Sequence, residues 1–309
     1  MSTPKHVHVQ PLTKVVEGLR IVAKIGERRV RSVVAQLACT FYSGRLARME
    51  FIDMMRLEPH GPDTFVGVGP RYPWGGLYGG QIVAQGLRAA AHSVDPRYHV
   101  HSLHAYFIRR GDHDAPVRYE VDRIRDGRSF VTRRVVARQS AGAILNMSAS
   151  FQLPEDVEEV QTVRPFVDLD PTALTGHSWS DAFERRDVRY RDEVQPARVA
   201  WLRVKGPLPN DPLLHACALA YTSDDLPTEA VIARHPAHRA DKSTPFWNAS
   251  LDHAIWFHAP IQADAFNLHQ FTCQSLRGAR GLTSGHVFDG QGRHLATVTQ
   301  EVLLRIKKG

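Results

Sequence analysis

A glycine-rich turn at residues 74–81 is the first feature of this sequence that could carry chemistry. It reads Trp74-Gly75-Gly76-Leu77-Tyr78-Gly79-Gly80-Gln81 and opens a predicted helix over residues 81–93. The N-terminus of a helix presents backbone amides that lack intrahelical partners, and such amides stabilise anions. We therefore consider two roles for this turn: its amides donate to a ligand across a boundary between domains, or it is a remnant without a ligand.

Other familiar arrangements of reactive residues are absent from the sequence. There is no Gly-x-Ser-x-Gly nucleophile motif, no phosphate-binding P-loop and no His-Glu-x-x-His metal motif. The 17 histidines are scattered, and pairs such as His6/His8 and His101/His104 have no convincing carboxylate partner. We therefore expect neither a metal ion nor a redox cofactor.

The net charge of +7 is concentrated at one end of the chain. Residues 1–50 hold nine Lys or Arg and three acids, a balance of +6, which leaves about +1 for the other 259 residues. A basic patch on the body would favour nucleic-acid binding, and a nearly neutral body does not. We expect no nucleic-acid partner.

The cellular location follows from cysteines and hydropathy. The three cysteines are far apart, which argues against a disulfide framework and indicates a reducing compartment: Cys39, Cys217 and Cys273. No apolar run approaches the ~20 residues that span a bilayer. Neither a secretory signal nor a peroxisomal address is recognisable, so we expect a cytoplasmic protein without stable membrane insertion.

The basic segment 1–50 is predicted to be an addition to the body of the protein. It could be an extension packed loosely on the body, or a helix that binds a lipid surface or a partner. It could also consist of non-native residues from an upstream start codon, because Met49 and Met54 stand just before the recognisable body.

The body, from residue 51, shows two units with the same order of elements. Each has a strand, a helix rich in small residues, and then antiparallel strands. Ser102-Leu103-His104-Ala105 parallels Ser250-Leu251-Asp252-His253, an offset of 148 (250 − 102), with one extra residue in the second copy. We predict units over residues 51–153 and 191–309, joined by a linker over residues 154–190, in an α+β fold.

The motifs of both units resemble the type II acyl-CoA thioesterases, which have a double-hotdog fold: a long helix wrapped by an antiparallel sheet, twice. The resemblance runs in order from about residue 51 to residue 305. The matching segments are 79–85, 100–107, 126–130 and 149–152 in the first unit, and 219–224, 250–258 and 296–301 in the second.

The resemblance implies a catalytic trio of Asp224, Ser250 and Gln300 in the second unit. Asp224 ends the motif Tyr221-Thr222-Ser223-Asp224, and the adjacent Asp225 is the alternative if the alignment is off by one residue. Ser250 stands where the family's other form has Thr, but the chemistry needs only a hydroxyl. We expect these groups to direct a water molecule onto the thioester, since His253, three residues along the strand from Ser250, should face the other side.

Substrate contacts are also implied by the resemblance. The turn residues Gly79, Gly80 and Gln81 are candidates at the thioester, and Arg128, Arg277 and Arg280 are candidates for the phosphates of CoA. The expected activity is hydrolysis of fatty acyl-CoA to fatty acid and CoA. The alternatives are an enoyl-CoA hydratase-like enzyme and a non-catalytic acyl-CoA-binding protein, and association into a homo-oligomer is expected.

Overall fold

A computed structural model describes residues 49–166, 170–188 and 198–307. The predicted N-terminal segment therefore lies outside the described residues except for Met49 and Glu50, and its alternatives stay predictions.

The first half of the body contains two helices and six strands. In chain order they are α1 (Phe51–Met54), β1 (Glu58–Pro59), β2 (Thr64–Gly67), α2 (Gly79–Ala91), β3 (His99–Phe107), β4 (Val117–Asp126), β5 (Phe130–Gln139) and β6 (Gly142–Gln152). For this half the sequence predicts a short strand pair over residues 57–68, a helix over residues 81–93 and four antiparallel strands, and each of these elements is present. The tight turn between β5 and β6 uses Gly142 at φ 109°, a left-handed conformation that glycine adopts without steric cost.

The second half repeats this pattern with additions. Its elements are a 3₁₀ turn (Pro171–Ala173), β7 (Phe183–Asp187), β8 (Arg198–Val204), α3 (Pro212–Thr222), α4 (Pro227–Arg234), α5 (Pro236–Ala240), β9 (Phe246–Ser250), β10 (Asp252–Phe257), β11 (Asn267–Arg277), β12 (Arg280–Phe288) and β13 (His294–Ile306). Strand β7 lies inside the predicted linker. Helices α4 and α5 occupy the stretch 223–245 that sequence patterns predict as a loop.

One antiparallel sheet contains all the described strands. Its order is β1-β2-β4-β5-β6-β3-β10-β13-β12-β11-β8-β7, and β9 pairs with β13 beside β10. The two halves therefore add their strands in the same sequence outward from the centre. At the centre β3 and β10 pair antiparallel, with Ala105 opposite His253, which relates the halves by an approximate two-fold axis.

Irregularities of strand register define the equivalence between the halves. The shift at Arg123/Arg125 matches the one at Cys273/Ser275, and the shift at Ala137/Arg138 matches the one at Val287/Phe288, both 150 residues later (273 − 123; 287 − 137). The shift at Val100/Ser102 likewise matches the break after Ser250. The predicted offset of 148 is therefore wrong in this strand: Val100, not Ser102, is the counterpart of Ser250.

The two long helices pack against each other in opposite directions on the inner face of the sheet. Helix α2 lies on β4, β5 and β6, and α3 lies on β3 and β8. Ten of the 13 residues of α2 are buried, and its small residues permit this enclosure. Burying a side chain such as Leu87 contributes about 1.5–3 kcal/mol to folding.

This antiparallel packing brings the start of each helix to the end of the other. At one end, the Tyr78 hydroxyl donates to the Tyr221 carbonyl over 2.9 Å. At the other end, Arg88 forms an ion pair of 3.2 Å with Asp211. The helix pair therefore has two ends, and at each end the N-terminus of one helix meets the C-terminus of the other.

Candidate active site

The trio implied by the sequence comes together at the first of these two ends. Gln300 Nε2 donates to Ser250 Oγ over 2.8 Å, and Ser250 Oγ donates to Asp224 Oδ1 over 3.3 Å. Asp224 and Gln300 are buried, with exposed fractions of 8% and 0%. A carboxylate, a hydroxyl and a primary amide thus form one connected group.

Three elements hold these side chains. Asp224 follows Ser223, the C-cap of α3, and Ser250 is the last residue of β9. In the β9–β13 ladder Ser250 lies opposite Val302, which places Gln300 diagonally across from it on the same face. The strand pairing therefore sets the Ser250–Gln300 contact, and the end of α3 supplies the carboxylate.

The glycine-rich turn completes the group from the first half of the chain. The Gly80 amide donates to Asp224 Oδ2 over 2.9 Å. A Cβ atom added at Gly79 would lie 2.5 Å from the same oxygen, and one added at Gly80 would lie 2.3 Å from the Tyr221 carbonyl oxygen. The Gly80 amide thus donates across the boundary between the halves to the Asp224 carboxylate, and donation from the turn to a ligand stays a prediction.

Burial makes Asp224 a stronger base than an exposed aspartate. Loss of hydration raises the pKa of Asp224 to about 6, and hydrogen bonds from Gln300, Gly80 and Ser250 oppose this rise because they stabilise the carboxylate. Asp224 is therefore ionised at neutral pH, yet its affinity for a proton is high enough for general-base catalysis near that pH.

His253 and Ser223 belong to the same network, and the sequence analysis missed both roles. His253 Nδ1 contacts Gln300 Oε1, and His253 Nε2 lies 2.9 Å from Ser223 Oγ. Burial lowers the pKa of His253 to about 4, so the ring is neutral. A neutral ring carries one N–H, which points at the Gln300 oxygen, while Nε2 accepts from Ser223.

The expectation that His253 faces away from the site is wrong, because the strand is bulged. From Ser250 to Ala254 there are four steps, whereas the facing segment of β13, from Val302 to Thr299, has three. The extra residue reverses the alternation of side chains, so residues three apart share a face. The bulge therefore puts His253 on the same face as Ser250, where it contacts Gln300.

The adjacent Asp225 has a different environment from Asp224. Its carboxylate accepts from Trp179 Nε1 over 2.7 Å and pairs with the buried Arg185 over 2.9 Å. Arg185 also binds Asp187 and Glu229. Asp225 thus anchors the segment before β7 to the end of α3, and the geometry favours Asp224 over it as the reactive carboxylate.

The other candidate residues for substrate binding do not all meet at the trio. Gln81 is buried; its Oε1 accepts from the Tyr72 hydroxyl over 2.7 Å and its Nε2 donates to Gln85. Arg280 forms an ion pair of 2.8 Å with Glu301, the neighbour of Gln300. Arg277 lies opposite Arg280 across the β11–β12 turn.

Arg128 lies elsewhere. Its carbonyl accepts from the Tyr98 hydroxyl over 2.9 Å, and Tyr98 follows the C-terminal end of α2. Because a 13-residue helix is roughly 20 Å long, Arg128 is far from the turn at Gly79.

Among the described residues, no group of three or more His, Cys, Asp or Glu side chains is arranged to hold a metal ion. In the same ranges, no helix has both the length and the apolar character needed to cross a membrane.

Comparison with known protein families assigns both halves of the body. Residues 69–152 match the acyl-CoA thioesterase N-terminal domain, and residues 154–304 match the acyl-CoA thioesterase C-terminal domain. The boundary between the two matches lies after β6, where the sequence analysis ends the first unit.

Individual proteins agree with this assignment. The chain is 33% identical to mouse acyl-coenzyme A thioesterase 8 over 300 residues, covering 86% of this chain and 92% of that protein. It is 31% identical to acyl-CoA thioesterase 2 of Haemophilus influenzae, covering 83% and 97%. The crystal structure of an acyl-CoA thioesterase II from Mycobacterium marinum superposes with a TM-score of 0.73 at 37% identity, covering 84% and 99%. The fold is therefore the double hotdog, and the chain belongs to the type II acyl-CoA thioesterase family and hydrolyses acyl-CoA thioesters.

Proposed function

We propose that Asp224, Ser250 and Gln300 carry out this hydrolysis by directing one water molecule onto the thioester carbonyl. The observation that carries the proposal is the connected group that ends on a buried carboxylate of raised basicity. Gln300 and Ser250 hold the water, and Asp224 accepts its proton as the new C–O bond forms. The C–S bond then breaks, CoA leaves as a thiolate that takes up a proton, and the fatty acid is released.

The hydrogen-bond directions support this arrangement. Ser223 donates to His253, His253 to Gln300, Gln300 to Ser250, and Ser250 to Asp224. Each donor fixes the orientation of the next group, so the chain converges on the carboxylate that must accept the proton. Such preorganisation lowers the reorganisation needed during the reaction.

Direct attack by water is favoured over an acyl-enzyme on Ser250. Among the described residues no histidine, the usual base of a serine nucleophile, is bonded to Ser250 Oγ, so a covalent route would require Asp224 to take the proton of the serine rather than that of the water. His253 bonds to Gln300 and Ser223 instead. Intact-mass spectrometry during turnover of a slow substrate should show unmodified protein, and an adduct with the mass of the acyl group on Ser250 would replace this mechanism by the covalent one.

We propose fatty acyl-CoA thioesters as the substrates. Thiol release from saturated acyl-CoAs of increasing chain length measures the preference directly. A crotonyl-type substrate should be hydrolysed at its thioester and not hydrated at its double bond. Hydration without thiol release would contradict the proposal.

We also propose a cytoplasmic homo-oligomer. Unpaired thiols at Cys217 and Cys273 fit a reducing compartment. On the outer face of the sheet, Tyr106 and Trp256 of the central strands are 64% and 36% exposed, and such aromatic side chains are enriched at protein interfaces. Cell fractionation and sedimentation velocity test the two parts; a monomer at micromolar concentration would exclude the oligomer.

A further inference from the structure

A second cavity lies at the opposite end of the helix pair from the trio. Its volume is about 780 Å³, within the ~300–1,000 Å³ typical of small-molecule sites. The apolar part of its lining comes from the end of α2, the start of α3, the start of β3 and the segment after β10. Representative residues are Ala91, Val94, Val100, Leu213, Phe257 and Ile261.

This cavity is the counterpart of the active site under the two-fold relation of the halves. Phe257 in its lining lies 150 residues after Phe107 (257 − 107), and Phe107 is the aromatic ring next to Gly79 at the trio. Val100 of the lining is the counterpart of Ser250. Each place thus joins the start of one long helix, the end of the other and a central strand.

The reacting groups are missing at the second place. Ala149 stands where Gln300 stands in the other half, because Ser148 pairs with His104 as Thr299 pairs with Ala254. The counterpart of Asp224, the residue after the helix cap, is Ser93, whose hydroxyl accepts from Arg133 Nε over 2.7 Å. At the three catalytic positions there is therefore neither a carboxylate nor a side-chain amide, and the one hydroxyl, that of Ser93, is bonded to Arg133 and to the Ala90 carbonyl.

The helix N-terminus at this place is also closed. Asp211 caps α3 by accepting from the Leu213 amide over 3.0 Å, and its other oxygen pairs with Arg88. At the trio Tyr78 provides no side-chain cap to α2, and the Gly80 amide donates to Asp224, so an aspartate carboxylate meets the helix start in both places. The difference is that Asp211 also forms an ion pair with Arg88, whereas Asp224 is bonded to Ser250.

The charged side chains that line the cavity are mostly acidic, which disfavours an anionic group inside it. Among the described residues that line it, the side chains charged at neutral pH are one cation, Arg88, and three acids, Asp95, Glu155 and Asp211. Arg88 pairs with Asp211 through one terminal nitrogen while its Nε has no hydrogen-bond partner, and the three acids outnumber this single cation. A free fatty acid is therefore disfavoured inside, whereas the thioester of an acyl-CoA carries no charge there.

The rim offers what the phosphates of CoA require. Tyr98, a lining residue, donates its hydroxyl to the carbonyls of Gly127 and Arg128 over 3.2 and 2.9 Å. The β4–β5 turn is thereby held beside the cavity, with Arg125 and Arg128 exposed. Arg277 and Arg280 flank the corresponding β11–β12 turn in the half that carries the trio.

We propose that this cavity is a second, non-hydrolytic binding site for acyl-CoA. The acyl chain lies among the apolar residues and the phosphates lie on the arginines of the β4–β5 turn. This inference rests on the family's acyl-CoA substrate but not on the roles proposed for the trio.

The test counts ligands on the full-length protein. Isothermal titration with S-decyl-CoA, a thioether that cannot be hydrolysed, should give two equivalents per chain. Val94→Trp, which fills the cavity, should bind one equivalent of S-decyl-CoA per chain, while the matched Val94→Ile variant should still bind two. Ala259→Trp fills the cavity from another segment and serves if Val94→Trp does not fold.

Several results would overturn the proposal. One is binding of a single equivalent of S-decyl-CoA by the wild-type protein, and another is binding of two equivalents by both Trp variants in their folded form. Displacement of the second equivalent by decanoate at similar concentration would instead identify a fatty-acid site. An unchanged affinity of the second equivalent in the double variant Arg125→Glu/Arg128→Glu would exclude the phosphate contact.

Thiol release keeps this result separate from the mechanism. Val94→Trp and Ala259→Trp should hydrolyse decanoyl-CoA with the wild-type kcat, because the trio lies at the other end of the helices. A failed mechanism at Asp224 would leave the ligand count unchanged, and a failed second site would leave the trio's kinetics unchanged.

Discussion

The amide of Gly80 and the carboxylate of Asp224 are 144 residues apart in sequence and 2.9 Å apart in space. This hydrogen bond crosses the boundary between the halves, so the reactive carboxylate is held by both. The contact also requires a close approach between the start of α2 and Asp224, which a side chain at position 79 would prevent.

Gly79→Ala should therefore damage the site directly. Its Cβ would lie 2.5 Å from Asp224 Oδ2, so the carboxylate must move, and we expect kcat to fall at least 100-fold. Gly86→Ala in the same helix is the matched control, because its Cβ would meet the flexible end of Met147 at 3.1 Å. Equal kcat in the two variants would show that the close approach has no catalytic importance.

The adjacent aspartates give a second test. Asp224→Asn should reduce kcat by about 10²–10⁴-fold while binding of S-decyl-CoA persists, since the proton acceptor is lost. Asp225→Asn should keep most of kcat, because the Asp225 carboxylate contacts Trp179 and Arg185 rather than Ser250 or Gln300. Thiol-release kinetics of both variants distinguish the roles; the reverse pattern would move the assignment to Asp225.

Activity should depend on the ionisation of Asp224. With its pKa raised to about 6, kcat should be nearly constant above pH 7 and fall about tenfold for each pH unit below 6. Thiol-release rates between pH 4.5 and 8.5 measure this profile. A rate that stays flat down to pH 5 would mean that another group accepts the proton.

Asp224→Asn should lower activity but raise the free energy of unfolding at alkaline pH. The pKa of Asp224 is higher in the folded protein, about 6, than the ordinary 3.8, so ionisation opposes folding as the pH rises through 6. Asp224→Asn should therefore be more stable than the wild type at pH 8, by at most about 3 kcal/mol, and the advantage should vanish below pH 4. Urea midpoints at both pH values provide the measurement, and a variant less stable at pH 8 would argue against the burial cost.

His253 should act as a positioning residue through Gln300. His253→Leu removes the donor that orients the Gln300 amide, so kcat should fall by about 10-fold or more with little change in KM. His253→Asn places an N–H near the position of Nδ1 and should recover part of the rate. If Leu and Asn variants lose activity equally and in proportion to stability, the role of His253 is only structural.

The resemblance of sequence motifs predicted the trio correctly as a spatial group, because each residue lies beside a helix end or in a regular strand. The orientation of His253 was not predictable, since a bulge is defined by the number of residues on the facing strand. The sequence of β9 and β10 alone, from Phe246 to Phe257, contains no sign of it.

Helices α4 and α5 were missed for a different reason. The sequence predicts a loop over residues 223–245, but Pro227 and Pro236 each stand in the first turn of a short helix there, where proline lacks only an amide that has no partner anyway. The sequence also does not distinguish among Arg128, Arg277 and Arg280 as contacts for the phosphates of CoA. They lie at two different turns between long strands, and sequence does not show which turn is near the trio.

The junction of β3 and β10 has one more consequence. In a dimer of identical subunits, any substitution appears at both ends of the helix pair, so neither end can lose a catalytic group without the other. Here a single chain supplies both sides of the junction, and mutation can act on one end alone. Val100 and Ala149 can therefore vary independently of Ser250 and Gln300, the residues to which we assign catalytic roles.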